Sequence, residues 1–198
     1  MFPLSHPLLP HVALPLHVFE ERFRVMVRRC LDGDRRFGVV LIARGSEVGG
    51  GDTRYSVGTL ARLTEAAELA DGRWVLVAAG EQRLRVTRWL HDDPHPRADV
   101  EVLEDPAARA GSTERDALQT VMHRISALQT ELGDPVPPAG IEIAADPVAA
   151  SYQAASLAPL GPLDLQQLLE IDDPDDRIAA VRAALAEAED LLRLRLQR

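Results

Sequence analysis

The hydrophobic pattern of this chain changes period once, at Glu104-Asp105-Pro106, and that change constrains the fold more than any motif does. Upstream, apolar residues come in short β-branched or alternating runs bounded by glycine and proline. Downstream they recur every three or four residues over long stretches. A strand shows one face every second residue and a helix every third or fourth, so the two halves need different elements. Strands first and helices second is a segregated α+β plan: a β-rich unit over residues 1–105 and a helical bundle over residues 106–198.

Prolines 3, 7, 10 and 15 break the first stretch into pieces suited to edge strands and turns. The period then shifts briefly. Phe19, Phe23, Met26, Val27 and Cys30 fall on one face of a helix, with Glu20, Glu21, Arg24 and Arg28 off that stripe and Asp32-Gly33-Asp34 as its stop. Phe37–Ala43 is a buried-strand run, and Tyr55–Thr64 alternates. Asp71-Gly72 signals a hairpin into Trp74–Ala79, which Gly80 separates from a further strand over Arg83–Leu90, and Ala98–Leu103 is the last strand. About six short strands with one inserted helix predict a closed or nearly closed β-barrel, with Trp74 and Trp89 as core anchors.

In the second half Leu118, Val121, Met122, Ile125, Leu128 and Leu132 form a helical stripe entered through Ser112-Thr113 as N-cap. Gly133–Gly140 is a loop. Asp146-Pro147 is an N-cap followed by proline at the first helical position, opening a short helix with Val148, Tyr152 and Ala155, and Asp172-Asp173-Pro174 starts the final helix. A short helix spans Pro162–Ile171, and the last helix carries Ile178, Val181, Leu185, Ala188, Leu192 and Arg195. Leu191, Leu194 and Leu196 fall outside that stripe, which points to a homodimer through the C-terminal helix.

All 22 basic residues are arginine, and the absence of lysine removes whole classes of chemistry. A Ser–Lys dyad has no base, and a phosphate-binding P-loop has no ammonium. The triglycine at 49–51 is followed by Asp52, a carboxylate that repels phosphate, and reads as a loop. No G-x-S-x-G elbow raises a serine. The lone Cys30 lies on an apolar stripe as a small buried hydrophobe. His91 and His95 have metal-like spacing, but Pro94 and Pro96 break the helix that such ligands need. His17 has a structural or capping role at the head of the first helix. Asp172, Asp173, Asp175 and Asp176 sit where a helix dipole accounts for them. Neither a cofactor nor a metal is expected.

Charge narrows the partners. Residues 1–105 carry 14 arginines against 16 carboxylates, and residues 106–198 carry 8 against 15. So acidic a second half repels nucleic acid, and only Arg83, Arg85 and Arg88 offer a basic strip for RNA. No apolar run is long enough to cross a membrane, and the N-terminus lacks the basic start of a secretory signal, so a cytoplasmic protein is expected.

Four segments in order carry a resemblance: LPLHVFEERF at Leu14–Phe23, YSVGTLAR at Tyr55–Arg62, DGRWVLVAAGEQRLR at Asp71–Arg85 and LLEIDDP at Leu168–Pro174. Together they resemble the N-terminal substrate-binding domain of Lon proteases over nearly the whole chain. Pro10-His11 departs from the family's frequent Pro-Gly turn. The resemblance implies a PUA-like β pseudo-barrel followed by a helical bundle, standing alone without ATPase and peptidase modules. It implies a non-catalytic module for polypeptide substrates or a protein partner, with Glu20, Glu21, Arg24, Arg28, Arg44 and Arg54 as candidate contacts. The bland alternative for each is a solvated surface charge. A hydrolase would need a nucleophile–base pair that these residues do not display.

Overall fold

Proline spacing leaves room only for short strands at the N-terminus, β1 (Phe2–Leu4) and β2 (Ala13–Val18). The helix α1 (Glu21–Asp32) and strand β3 (Arg36–Arg44) follow, then two long strands, β4 (Thr53–Glu68) and β5 (Trp74–Leu90), and β6 (Arg97–Leu103). The computed structural model describes residues 1–48, 50–136 and 142–197. Its contacts divide into two units, Met1–Glu104 and Asp105–Arg198.

The six strands form one mixed sheet in the order β1-β3-β4-β5-β2, with β6 also on β5. Among the described strands β1 and β3 pair in parallel and the other pairs are antiparallel. One side of β5 is shared: β2 takes Trp74–Ala79 and β6 takes Arg83–Leu90. The architecture is therefore α+β, and of the closed or nearly closed barrel expected, the closed form is not made. β1 and β2 end the strand order at opposite sides and do not pair with each other. Each carries a proline, Pro3 or Pro15, which cannot donate to a closing ladder.

Gly80 does not separate two strands either. It lies inside β5, where a Cβ would stand 2.3 Å from the Leu9 carbonyl oxygen. The missing side chain admits a crossing backbone: His11 N–H donates to Gly80 O and Gly80 N–H to Val12 O, both at 2.9 Å. His11 itself has φ of 60°, the left-handed conformation that the glycine of a Pro-Gly turn would take without strain. The Asp71-Gly72 hairpin forms as expected, with Gly72 at φ 79°.

Phe23, Met26, Val27 and Cys30 bury the inner face of α1 against the sheet, and the Phe2 ring meets Phe23 edge-on at 4.4 Å. Burial of each large side chain is worth roughly 1.5–3 kcal/mol, so this stripe fixes the helix in place. Two expected core residues lie elsewhere. Phe19 precedes α1 and is 54% exposed, while Trp89 is 37% exposed beneath the Arg54 guanidinium. A register shift between Val86 and Arg88 interrupts the alternation just before Trp89. His17 is an exposed residue of β2 and not a helix cap.

The second unit contains α2 (Ser112–Leu132), α3 (Pro147–Leu157), α4 (Pro162–Glu170) and α5 (Pro174–Leu196). Leu118, Met122 and Ile125 of the α2 stripe are buried, and Gln129 takes the next inward position. The α2 N-cap is Gly111, not Ser112 or Thr113, because the Glu114 carboxylate accepts from the Gly111 N–H at 3.0 Å. Asp146 and Asp173 cap α3 and α5 through their side chains, with proline next in each case. The α5 stripe buries Ile178 through Leu192 but ends there: Arg195 is exposed and pairs with Asp134 at 2.7 Å. Residues 137–140 of the expected loop and Gly49 of the triglycine lie outside the described residues.

At the centre of this unit Arg177 is fully buried. Its guanidinium pairs with Asp105 at 2.7 Å, donates to the Ile171 carbonyl at 2.7 Å and lies over the Tyr152 ring at 4.6 Å. Tyr152 also donates to Asp105 at 3.2 Å. A buried cation is tolerated only with such partners.

Candidate functional site

The six charged candidates do not converge on one spot. Glu21 pairs with Arg24 at 2.8 Å and with Arg28 at 3.8 Å, and Arg28 reaches Glu68 at 3.4 Å. These are solvent-facing pairs along α1, each worth under about 1 kcal/mol. Arg24 covers the hairpin, where a Cβ on Gly72 would lie 2.2 Å from its Nη2. Arg44 is exposed at the end of β3. Arg54 is used internally: it pairs with Asp52 and stacks 4.6 Å from the Trp89 ring. That hydrogen bond holds the Asp52 carboxyl below its ordinary range.

Glu20 leads to the more telling feature. Just before α1, Glu20 lines a groove of about 200 Å³ with Phe2, Leu4, Leu16, Val18, Phe19 and Val48. Phe2 and Leu4 come from β1, and Leu16 and Val18 from β2, so the groove occupies the seam where a barrel would have closed. Phe19 and Val48 are 54% and 57% exposed at its mouth. Glu47 adds a second carboxylate and accepts from the Ser5 N–H, tying the exit of β1 to the loop.

Arg22, absent from the sequence-based candidates, joins these parts. It donates to Glu20 at 3.1 Å and to the Glu47 carbonyl at 3.1 Å, and lies over the Phe23 ring at 4.4 Å. The one signal available in the sequence was Val48, an apolar residue in a glycine-rich loop, since Phe19 fits the helical period of the stripe that follows it.

The other chemistry-bearing residues are held by neighbouring groups. His95 is buried, with Nδ1 3.1 Å from the Pro96 carbonyl and Nε2 3.4 Å from Arg29. Burial pushes its pKa below the ordinary histidine value. Burial likewise raises the Cys30 thiol, whose Sγ lies 3.4 Å from the Arg36 carbonyl, and so suppresses its thiolate. Among the described residues no three metal-ligating side chains gather. The proposed basic strip is not assembled, since Arg83 is only 2% exposed and Arg88 is engaged by Asp99 at 2.6 Å. The second unit has a groove of about 410 Å³ between α4 and α5, reaching from Leu160 to Leu191. No described helix is long and apolar enough to cross a membrane.

Residues 1–187 match the model of the ATP-dependent protease La (LON) substrate-binding domain. The chain belongs to this Lon substrate-binding domain family. Lon domain sequences from distant bacteria align over almost all of it. The Lon protease of Trichlorobacter lovleyi is 29% identical over 95% of this chain, which spans 23% of that protein. For Escherichia coli K12 Lon protease the figures are 27%, 93% and 24%. The chain thus covers about a quarter of these relatives. In Schizosaccharomyces pombe, a protein named for a LON peptidase N-terminal domain and a RING finger is 25% identical over 94% of this chain and 44% of its own length. The solved Lon N-terminal domain protein of Xanthomonas campestris superposes with a TM-score of 0.68 at 29% identity, covering 92% of this chain and 95% of that one. The N-terminal domain of Mycobacterium avium complex Lon protease shares the fold, with a TM-score of 0.60 at 18% identity.

Proposed function

We propose that this chain is a non-catalytic polypeptide-binding module whose binding site is the groove between β1, β2 and the start of α1. The observation that carries this reading is the apolar seam, open in a domain of a family named for substrate binding, with Phe19 and Val48 uncovered at its mouth. Uncovered aromatic and aliphatic side chains beside a groove suit a polypeptide segment with apolar side chains. The acidic pair Glu20 and Glu47 at the rim disfavours nucleic acid there. Glu21, Arg24 and Arg28 form the outer, charged flank of the same helix, and Arg44 lies at the β3 end of the loop that carries Val48. Division of labour follows the chain: residues 1–105 bind, and residues 106–198 self-associate through α5.

Binding is tested by fluorescence anisotropy with fluorescein-labelled β-casein, an unfolded polypeptide. Saturable binding is expected, weakened about tenfold by Phe19→Glu with Val48→Glu, because two charges replace apolar contacts worth over 1 kcal/mol together. No binding, or binding indifferent to both substitutions, overturns the assignment. Mass spectrometry of the casein after long incubation is expected to show no fragments. Fragments that disappear on substituting one residue of this chain would reveal an active site.

A further inference from the structure

We propose that the groove takes its polypeptide by strand addition: an extended segment pairs its main chain with the free edge of β2 and sends alternate side chains into the seam. This rests on the polypeptide-binding reading and specifies its mode.

The parity of β2 carries the inference. Ala13 faces Ala79 in the antiparallel ladder with β5, so Val12 faces Gly80, and the Gly80 N–H donates to the Val12 carbonyl at 2.9 Å. Residues two apart in such a ladder bond in the same direction. Leu14, Leu16 and Val18 therefore spend their main-chain groups on β5, while Ala13, Pro15 and His17 turn theirs away. Pro15 confirms the assignment independently, because a proline nitrogen has to point away from the ladder. The outward set is two N–H groups, of Ala13 and His17, and three carbonyls, of Ala13, Pro15 and His17. Among the described residues no strand receives them: β2 ends the sheet order, paired there with β5.

Outward groups recurring every second residue, roughly 6.8 Å apart, match the repeat of an extended chain. A helix, whose main chain is already satisfied, gains nothing from them. The side chains of the groove complete the fit. Leu16 and Phe2 offer apolar walls, and Phe19 and Val48 stand ready to cover an incoming side chain. Charge selects further. Glu20 and Glu47 line the groove, while Arg22, the guanidinium that contacts this pair, bonds the carboxylate of Glu20 and only the carbonyl of Glu47. The surplus negative charge favours a segment with a basic residue beside its apolar ones. Pro15 removes the central outward donor and so limits indiscriminate pairing between copies of this edge.

The test uses the intact chain with labelled β-casein. His17→Pro deletes one outward N–H without removing a bond to β5, whereas His17→Ala changes the side chain and keeps that N–H. About tenfold weaker binding is expected for His17→Pro and less than about twofold for His17→Ala. In the wild-type chain the Ala13 and His17 amides, read by NMR hydrogen exchange, are expected to slow on saturation with casein. Should His17→Pro fail to fold, that exchange measurement decides alone. Casein binding with unchanged exchange at both amides overturns strand addition and leaves polypeptide binding standing. Absence of any casein binding overturns the underlying reading, and strand addition with it.

Discussion

The two units leave apolar surface uncovered in chemically different ways. In the first, Phe19 and Val48 flank a seam bordered by a strand edge, where main-chain groups and side chains are both available. In the second, Leu191 and Leu194 are exposed on α5, a helix whose main chain is already bonded internally. An open strand edge recruits an extended chain directionally, through its backbone. A helix face can attract only through side-chain shape and burial, which suits another helix. Each unit also buries a guanidinium, Arg83 of β5 at 2% exposure and Arg177 of α5 completely.

The sharpest way to break this contrast is to remove the buried cation of α5. Arg177→Ala removes the guanidinium from Asp105 and from the Tyr152 ring and is expected to cost about 3 kcal/mol, a loss typical of a broken buried pair. Urea unfolding with Trp74 and Trp89 reporting the first unit and circular dichroism reporting the helices should locate the loss in the helical signal. Equal loss in both signals would show that the units do not unfold separately.

Gly58→Ala is the counterpart in the strands. Its Cβ would sit 2.1 Å from the Val39 carbonyl oxygen, so β3 must move, at an expected cost of roughly 2–3 kcal/mol. A midpoint unchanged in denaturant would show that the sheet is looser than its packing implies.

Self-association distinguishes the two surfaces next. The wild-type chain is expected to scatter light as a dimer, and Leu191→Glu with Leu194→Glu as a monomer of 21.7 kDa, with casein binding retained. A wild-type monomer removes the proposed role of α5.

Acid should touch the helices through Glu189. Hydrogen bonds from Arg124, at 2.8 and 2.9 Å, and the nearby Arg193 hold its carboxyl below the ordinary glutamate range. A carboxyl depressed in the folded state contributes stability above its unfolded pKa and loses it as pH falls through the folded one. The α2–α5 packing should therefore weaken below about pH 4.5, and Glu189→Gln should flatten that dependence in thermal melts. An unchanged pH profile would place the acid sensitivity elsewhere.

The smallest expected effect is a gain. His11→Gly relieves a left-handed residue and should add up to about 1 kcal/mol of stability, measured by the midpoint in urea. A loss would mean that the His11 side chain contributes more than its strain costs.

Much of this architecture was legible residue by residue. Asp146-Pro147 announced the cap of α3 and Asp172-Asp173-Pro174 the start of α5, and the spacing of Phe23, Met26, Val27 and Cys30 gave the buried face of α1. The site was less legible. Glu20 lies at the groove, but Arg54 proved internal, Phe19 left the core, and Arg22 went unnoticed because its partners Glu20 and Glu47 lie on both sides of an intervening helix and strand. Gly80 looked like a break for the same reason: the backbone it admits comes from Leu9 and Pro10, some seventy residues away.

By itself the sequence determined the α+β order, the Asp146 cap of α3 and the absence of lysine-dependent chemistry. Each of these depends on residue type or on interactions within a few positions along the chain. Only the tertiary structure decided that the sheet stays open, that β2 is left as an edge, and which of its residues face outward. Those outcomes rest on register between distant strands, where a shift of one residue exchanges the two faces and the two sets of main-chain groups.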